Sequence, residues 1–267
     1  MTRTLPLSHD TEGRISMINT VFEKGKALIA FITAGDPDIE TTEKLLIAMS
    51  ENGADVIEIG IPFSDPIAEG VVIQEADLRA LNAGTTTDKI FDMIAKIRPQ
   101  LKNSALAIMT YVNPIFVYGT EKFMAKCNEV GIQAVIVPDV PFEEKEELSS
   151  YCDKYDVSLI SMVAPTSKER IEMIGKKAQG FAYCFSPFDI AQSKDELAQR
   201  VATIKAVSNI PCAVSSEIST PEQAKEASQI ADGVIVGSEV VEIVAKYGKD
   251  SIEKVSEYIK EMKNAIM

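Results

Sequence analysis

The chain has 267 residues, of which 46% are hydrophobic, so it can bury a sizeable core within one domain. Its net charge of −13 opposes binding to nucleic acid or to an anionic membrane, because both require clustered Lys and Arg. The four cysteines form no CxxC pair and the only histidine is His9, so we expect no metal, no cofactor and a reducing, cytoplasmic environment.

The predicted organisation is a polar leader over 1–13, without the apolar core of a signal peptide, and a single domain over 14–267. The domain opens with a helix predicted over 14–24, whose Ile15, Ile18, Val21 and Phe22 share one stripe that could close the floor of a barrel. Eight apolar strands then alternate with amphipathic helices. We predict the strands over 27–33, 54–62, 106–111, 134–140, 158–163, 181–186, 211–215 and 233–236.

Eight βα cycles without a linker predict a closed (β/α)₈ TIM barrel with an extra N-terminal helix, rather than an open doubly wound sheet. Side chains of barrel strands alternate between the interior and the surrounding helices. On the second strand Ile57 and Ile59 suit the helices, which turns Glu58 inward. Active sites of such barrels lie at the carboxyl ends of the strands, so Glu58 is a candidate catalytic residue.

The alternative for Glu58 is a buried structural ion pair, but no predicted strand contains Lys or Arg to pair with it. Without a partner, desolvation should raise the pKa of Glu58 and make it a proton donor. The same lack of strand lysines argues against a Schiff-base aldolase, which needs an amine in the barrel mouth.

Motifs along nearly the whole chain resemble those of tryptophan synthase alpha subunits. They are Phe-Ile-Thr-Ala-Gly-Asp-Pro at 31–37, Ile-Glu-Ile-Gly-Ile-Pro-Phe-Ser-Asp-Pro at 57–66, Thr-Tyr-Val-Asn-Pro at 110–114, Pro-Asp-Val-Pro at 138–141, Ala-Pro-Thr at 164–166 and Gly-Ser at 237–238. The resemblance implies a lyase of tryptophan biosynthesis that cleaves indole-3-glycerol phosphate to indole and glyceraldehyde 3-phosphate. It also implies a beta subunit as partner, in an alpha2beta2 heterotetramer.

By this resemblance Glu58 protonates C3 of the indole, and Glu69 lies near the ring N–H, where the family has Asp. A solvated loop acid is the alternative interpretation of Glu69. Substrate contacts are implied for Phe31, Thr33, Tyr111, Tyr183, Gly237 and Ser238. Contacts with the beta subunit are implied for Asp65, Pro66, Asn113, Pro114 and Pro141, for which ordinary turn chemistry is the alternative.

Two loops depart from the family pattern. After the sixth strand, the segment 186–192 lacks the threonine and both glycines of the family's lid. After the seventh strand, Ser215, Ser216 and Glu217 replace a Gly-Phe-Gly phosphate loop, and a carboxylate there would repel a phosphate dianion. Gly237 and Ser238 keep the other half of the phosphate site, at the start of a helix predicted over 239–247.

These departures leave two alternatives to a lyase. One is a degenerate paralogue that has lost or altered catalysis and acts as a partner of a beta subunit. The other is a barrel enzyme that retains Glu58 as an acid but whose substrate lacks phosphate.

Overall fold

The computed structural model describes Ile18 and residues 20–267, and in it nine parallel strand segments form one sheet. The segments are β1 (Ala27–Thr33), β2 (Val56–Gly60), β3 (Ala105–Met109), β4 (Ala134–Ile136), β5 (Ser158–Leu159), β6 (Ser161–Val163), β7 (Ala182–Phe185), β8 (Cys212–Ser215) and β9 (Gly233–Val236). Their order in the sheet is β5-β4-β3-β2-β1-β9-β8-β7-β6. The predicted TIM barrel is confirmed.

The barrel is completed by the strand predicted over 158–163, which the structure divides into β5 and β6. β5 pairs with β4, and β6 pairs with β7. Between them the N–H of Ile160 still donates to Val135 O at 2.9 Å. The strand predicted over 158–163 therefore supplies both ends of the sheet order. Its first half, β5, pairs with β4, and its second half, β6, pairs with β7.

Eleven α-helices in the described ranges surround the sheet. They are α1 (Ile39–Glu51), α2 (Val71–Asn82), α3 (Thr87–Ile97), α4 (Val112–Tyr118), α5 (Thr120–Val130), α6 (Glu146–Lys154), α7 (Lys168–Lys177), α8 (Ile190–Lys205), α9 (Pro221–Ser228), α10 (Ser238–Tyr247) and α11 (Ile252–Ile266). Short 3₁₀ turns occupy Arg98–Gln100, Phe142–Glu144 and Gly248–Asp250. The side chains of Thr86, Ser167 and Thr220 accept hydrogen bonds from first-turn amides, which explains where α3, α7 and α9 begin.

Two apolar layers form the core, one between sheet and helices and one inside the barrel. Ile57 and Ile59 belong to the outer layer, whereas Val56 belongs to the inner layer. Glu58 lies in register with Phe31 of β1 and Ala107 of β3, so it shares their inward face. The alternation of inward and outward side chains that the sequence predicts for β2 is thus present, and it directs the Glu58 carboxylate into the barrel.

The amino-terminal floor of the barrel is closed by side chains that precede β1. Ile18 and Val21 are buried in the inner layer, and the Phe22 ring packs 5.6 Å from that of Phe181. Ile18 and Thr20 are helical, and the chain then turns, so the helix ends before the predicted residue 24. Ile15, His9 and the predicted leader lie outside the described residues. Over the described chain, no helix has the length and apolar character of a membrane span.

Candidate active site

A cavity of about 1450 Å³ opens at the carboxyl ends of the strands. Seven of the residues expected to act in catalysis, substrate binding or partner contact line it, namely Phe31, Glu58, Glu69, Pro141, Tyr183, Gly237 and Ser238. Its volume exceeds the range of about 300–1,000 Å³ that is usual for small-molecule sites. The cavity therefore has room for a bicyclic ring and a side chain.

Glu58 lies in the cavity wall with no exposed surface. Neither carboxyl oxygen has a hydrogen-bond partner in the described part of the chain. Burial alone raises the pKa of Glu58 to about 8, because the anion would lose its hydration without gaining a partner. At neutral pH the group is therefore mostly protonated, and it can donate a proton to a molecule in the cavity.

Phe31 packs between two glycine positions at the mouth of the barrel. A Cβ at Gly60 would lie 2.6 Å from Phe31 Cζ, which is too close for any side chain. A Cβ at Gly237 would lie 3.3 Å from Phe31 Cβ. Because Gly60 and Gly237 have no side chains, the Phe31 ring has room beside Glu58. In this position the ring can contact a flat aromatic ligand.

Tyr183 is an inward-facing aromatic residue of β7, in register with Met162 and Ala213. Burial and the nearby Glu58 charge raise the pKa of its hydroxyl, and a hydrogen bond with Ser215 opposes them. Tyr183 is therefore neutral at physiological pH. Its ring and hydroxyl offer an apolar face and a polar tip to the cavity.

Glu69 is half-buried, and its carboxylate accepts a hydrogen bond from the Tyr111 hydroxyl. The same hydroxyl accepts from the amides of Ile67 and Ala68 at 3.0 and 2.9 Å. Burial, and to a lesser degree the charge of Asp139, raise the pKa of Glu69 to about 7, and backbone hydrogen bonds oppose this. The Glu69 carboxylate is thus hydrogen-bonded in the cavity wall, whereas a solvated loop acid would be exposed and without such a partner.

Tyr111 and Thr33 were both expected to contact substrate, but neither side chain lines the cavity. Tyr111 is the N-cap residue of helix α4, and its hydroxyl accepts hydrogen bonds from the loop amides of Ile67 and Ala68. Thr33 is buried, and its hydroxyl has no partner in the described part of the structure. In this structure Tyr111 therefore contacts the cavity wall through its hydrogen bond to Glu69.

One end of the cavity combines a helix N-terminus with three acids. Gly237 caps the ten-residue helix α10, whose first residue is Ser238, so free amides and the helix dipole can hold an anion there. Glu217, Glu239 and Glu242 also line the cavity. Glu217 has a φ of +28°, which is uncommon for a residue with a side chain. The position of the family's Gly-Phe-Gly thus carries a carboxylate in the same cavity as this helix N-terminus.

The segment 186–192, which follows β7, is hydrogen-bonded to residues that follow β8. Ser216 is buried, and its hydroxyl lies 2.5 Å from Phe188 O and 2.8 Å from Ser193 Oγ. Asp189 caps α8 and accepts a hydrogen bond from Gln223 Nε2 at 2.8 Å. The region that corresponds to the family's lid is therefore a short connection with fixed contacts.

Asp77 is a buried acid near the site that the sequence analysis did not identify. It lies on the inner face of α2, whose other buried residues are Ala76 and Ala80. Burial raises the pKa of Asp77 to about 7, and the charges of Glu69 and Asp36 add to this, whereas the Phe63 amide opposes it. The sequence contained a signal for this acid, because Asp77 shares a helix face with Ala76 and Ala80, and Asp is rarely buried without a partner.

The residues expected to contact a partner protein lie around one sector of the rim. Asp65, Asn113 and Pro141 are exposed, and Pro66 and Pro114 are half-buried. Tyr111 joins the loop after β2 to the start of α4, and the Asp139 carboxylate accepts the Val112 amide at 3.0 and 3.2 Å. Three exposed apolar side chains extend this sector, namely Ile67 (78%), Phe116 (74%) and Val117 (77%).

Comparison with known proteins finds one family over almost the whole chain. Residues 17–267 match the family model described as tryptophan synthase alpha chain. The tryptophan synthase alpha chain of Lacticaseibacillus casei is 41% identical over 258 residues, which cover 94% of this chain and 96% of the relative. The alpha chain of Methanocaldococcus jannaschii is 44% identical over 227 residues, covering 83% and 80%.

Solved structures agree with the sequence comparison. Tryptophan synthase subunit alpha from Legionella pneumophila superposes with a TM-score of 0.86 at 35% identity, covering 95% of this chain and 98% of that one. A chain of tryptophan synthase from M. tuberculosis, in an aminoacrylate-bound form, gives 0.85 at 27% identity, covering 94% and 99%.

Proposed function

The chain belongs to the tryptophan synthase alpha chain family, the lyases of tryptophan biosynthesis, and from this premise we propose that it cleaves indole-3-glycerol phosphate with Glu58 as the acid. The observation that supports this proposal most strongly is that Glu58 is buried, has no hydrogen-bond partner in the described structure and belongs to the cavity lining. Purified protein should release indole from this substrate, and more rapidly when a beta subunit is present. No indole under either condition would favour the degenerate partner instead.

The proposed reaction begins with transfer of the Glu58 proton to C3 of the indole. C3 becomes tetrahedral and the positive charge is shared with N1, where the Glu69 carboxylate stabilises it. The ionised Glu58 then takes the proton of the hydroxyl on the adjacent side-chain carbon. The bond from C3 to that carbon breaks, its electron pair restores the aromatic ring, and the aldehyde leaves. Glu58 is protonated again at the end of the cycle.

The substrate phosphate is proposed to bind at the N-terminus of α10, through the amides near Gly237 and Ser238. Phe31 and Tyr183 are proposed to hold the indole ring beside Glu58. Both assignments rest on the positions of these residues in one continuous cavity.

Replacing Glu217 by Gly is expected to lower KM for indole-3-glycerol phosphate about 10-fold, because one carboxylate that repels the phosphate is removed. Glu217→Gln separates this charge effect from the backbone effect of glycine at a positive φ. Steady-state indole release should therefore give a lower KM for both variants, with similar kcat. An unchanged KM in both would place the phosphate away from Glu217.

The partner is proposed to be a tryptophan synthase beta subunit, in an alpha2beta2 assembly that uses the rim sector around Asp65, Asn113 and Pro141. Exposed apolar residues on a polar rim are typical of protein interfaces. Phe116→Asp should weaken binding about 30-fold or more in calorimetry with a beta subunit, as loss of an interface anchor does. Tyr247→Asp, on α10, is the matched control and should bind normally.

A cytoplasmic location is proposed from the state of the thiols. All four cysteines are free and buried. A reducing compartment such as the cytoplasm preserves such thiols.

A further inference from the structure

The side-chain amide of Gln223, in the first turn of α9, forms hydrogen bonds to two loops at once. Its Oε1 atom accepts from the amides of Ser219 and Thr220, at 2.9 and 3.1 Å. Its Nε2 atom donates to Asp189 Oδ2 at 2.8 Å. Oε1 therefore completes the capping box of α9, whereas Nε2 binds a residue that follows a different strand.

Asp189 uses its two carboxylate oxygens for different partners. Oδ1 accepts from the Ala191 amide at 2.7 Å and caps α8, whereas Oδ2 accepts from Gln223. The hydrogen bond between Asp189 and Gln223 therefore joins the start of α8 to the start of α9. These helices follow two neighbouring strands, β7 and β8.

This hydrogen bond lies in the wall of the substrate cavity. Asp189 and Gln223 both line the cavity, as do Pro187, Glu217 and Ser219 of the two connections that they join. If the two connections separated, the cavity would lose this part of its wall. A molecule that binds there would then have to bring them together again, and its apparent affinity would fall.

We propose that Gln223 is a positioning residue, which holds the segment 186–192 against the loop 216–220 so that this wall of the cavity is formed before the substrate binds. A lid closes only when its ligand binds, whereas these two connections are already in contact. This inference rests on the proposed lyase function, because indole-3-glycerol phosphate is taken as the molecule that fills the cavity.

The test exchanges the two groups that form the hydrogen bond. In Asp189→Asn, the amide oxygen can still cap α8, but the amide nitrogen faces Gln223 Nε2, so that two donors meet. In Gln223→Glu, the carboxylate can still complete the capping box of α9, but it faces the carboxylate of Asp189. The double variant Asp189→Asn/Gln223→Glu again places a donor opposite an acceptor, and it has the net charge of the unmodified protein.

Steady-state indole release should give a KM about 10-fold higher in each single variant, with kcat within twofold, because the wall is then open in most molecules. The double variant should have a KM within twofold of the unmodified protein. Glu222→Gln is the matched control, because Glu222 is an exposed residue of the same helical turn, outside the hydrogen bond, and its KM should not change.

Asp189→Asn separates the hydrogen bond from a simple effect of charge. This variant removes a carboxylate from the cavity wall, so charge alone would lower KM for a phosphorylated substrate, whereas loss of the hydrogen bond raises it. A lower or unchanged KM in Asp189→Asn would overturn the proposal. A double variant whose KM is as high as that of Gln223→Glu would overturn it as well.

Amide hydrogen exchange tests the contact without reference to activity. Exchange in 186–192 and 216–220 should be faster in both single variants and should return to the unmodified rate in the double variant. Equal exchange in all four proteins would contradict the proposal. An unmodified protein that belongs to this exchange pattern but releases no indole would instead refute the lyase function, so the two failures are distinguishable.

Discussion

Replacement of Glu58 by Gln is expected to lower kcat for indole release about 10³-fold, because Glu58 is fully buried in the cavity wall and its pKa of about 8 keeps it protonated near neutrality. Glutamine keeps the size of the side chain but cannot donate a carboxylic proton to C3. KM should change less than threefold, since Glu58 acts on the reacting carbon and contributes little to ground-state binding. Steady-state indole release measures both constants.

The same substitution is expected to change stability in a pH-dependent manner. The pKa of Glu58 is about 8 in the folded protein and 4.5 for an ordinary glutamate. The folded state therefore keeps a proton that the unfolded state has lost, and stability falls as pH rises from about 4.5 to about 8. This shift corresponds to a loss on the order of 5 kcal/mol over that range.

Glu58→Gln removes this titration, so its free energy of unfolding should decline less steeply between pH 5.5 and 8.5 than that of the unmodified protein. Urea unfolding at several pH values measures the difference, and contributions from other groups cancel between the two proteins. Glu253→Gln, an exposed position on α11, serves as the control and should follow the unmodified curve. Parallel curves for Glu58→Gln and the unmodified protein would mean that Glu58 is ionised in the folded state.

The position of Glu58 could be predicted because it depends on two properties visible in the sequence. Strand residues alternate between two faces, so Ile57 and Ile59 determine the side that Glu58 takes. The lack of a strand Lys or Arg then implies an unpaired carboxyl. Neither of these two inferences depends on the path of a loop, and the structure agrees with both.

The contacts of Tyr111 could not be predicted in the same way, because they depend on the path of the loop after β2. Tyr111 follows β3, and only the folded loop brings the amides of Ile67 and Ala68 to its hydroxyl. Division of the fifth strand at Ile160 also escaped prediction, since residues 158–163 contain no glycine, proline or charged residue that would mark a break.

The dependence of kcat/KM on pH is expected to be bell-shaped, with a maximum between about pH 7 and 8, because kcat/KM reports the pKa values of the free enzyme. Glu69 must be ionised to stabilise the positive charge at N1, and its pKa is about 7. Glu58 must be protonated to donate to C3, and its pKa is about 8. Activity should therefore fall below pH 7 as Glu69 gains a proton, and above pH 8 as Glu58 loses one.

Glu69→Gln assigns the acidic limb of this profile. A neutral amide cannot balance the charge at N1, so maximal kcat should fall about 10²-fold, the usual effect of removing one preorganised charge-stabilising group. The acidic limb should disappear, whereas the alkaline limb set by Glu58 should remain. Glu69→Asp is the matched control, because it keeps a carboxylate and should keep both limbs. An acidic limb that persists in Glu69→Gln would assign it to another group and remove Glu69 from the mechanism.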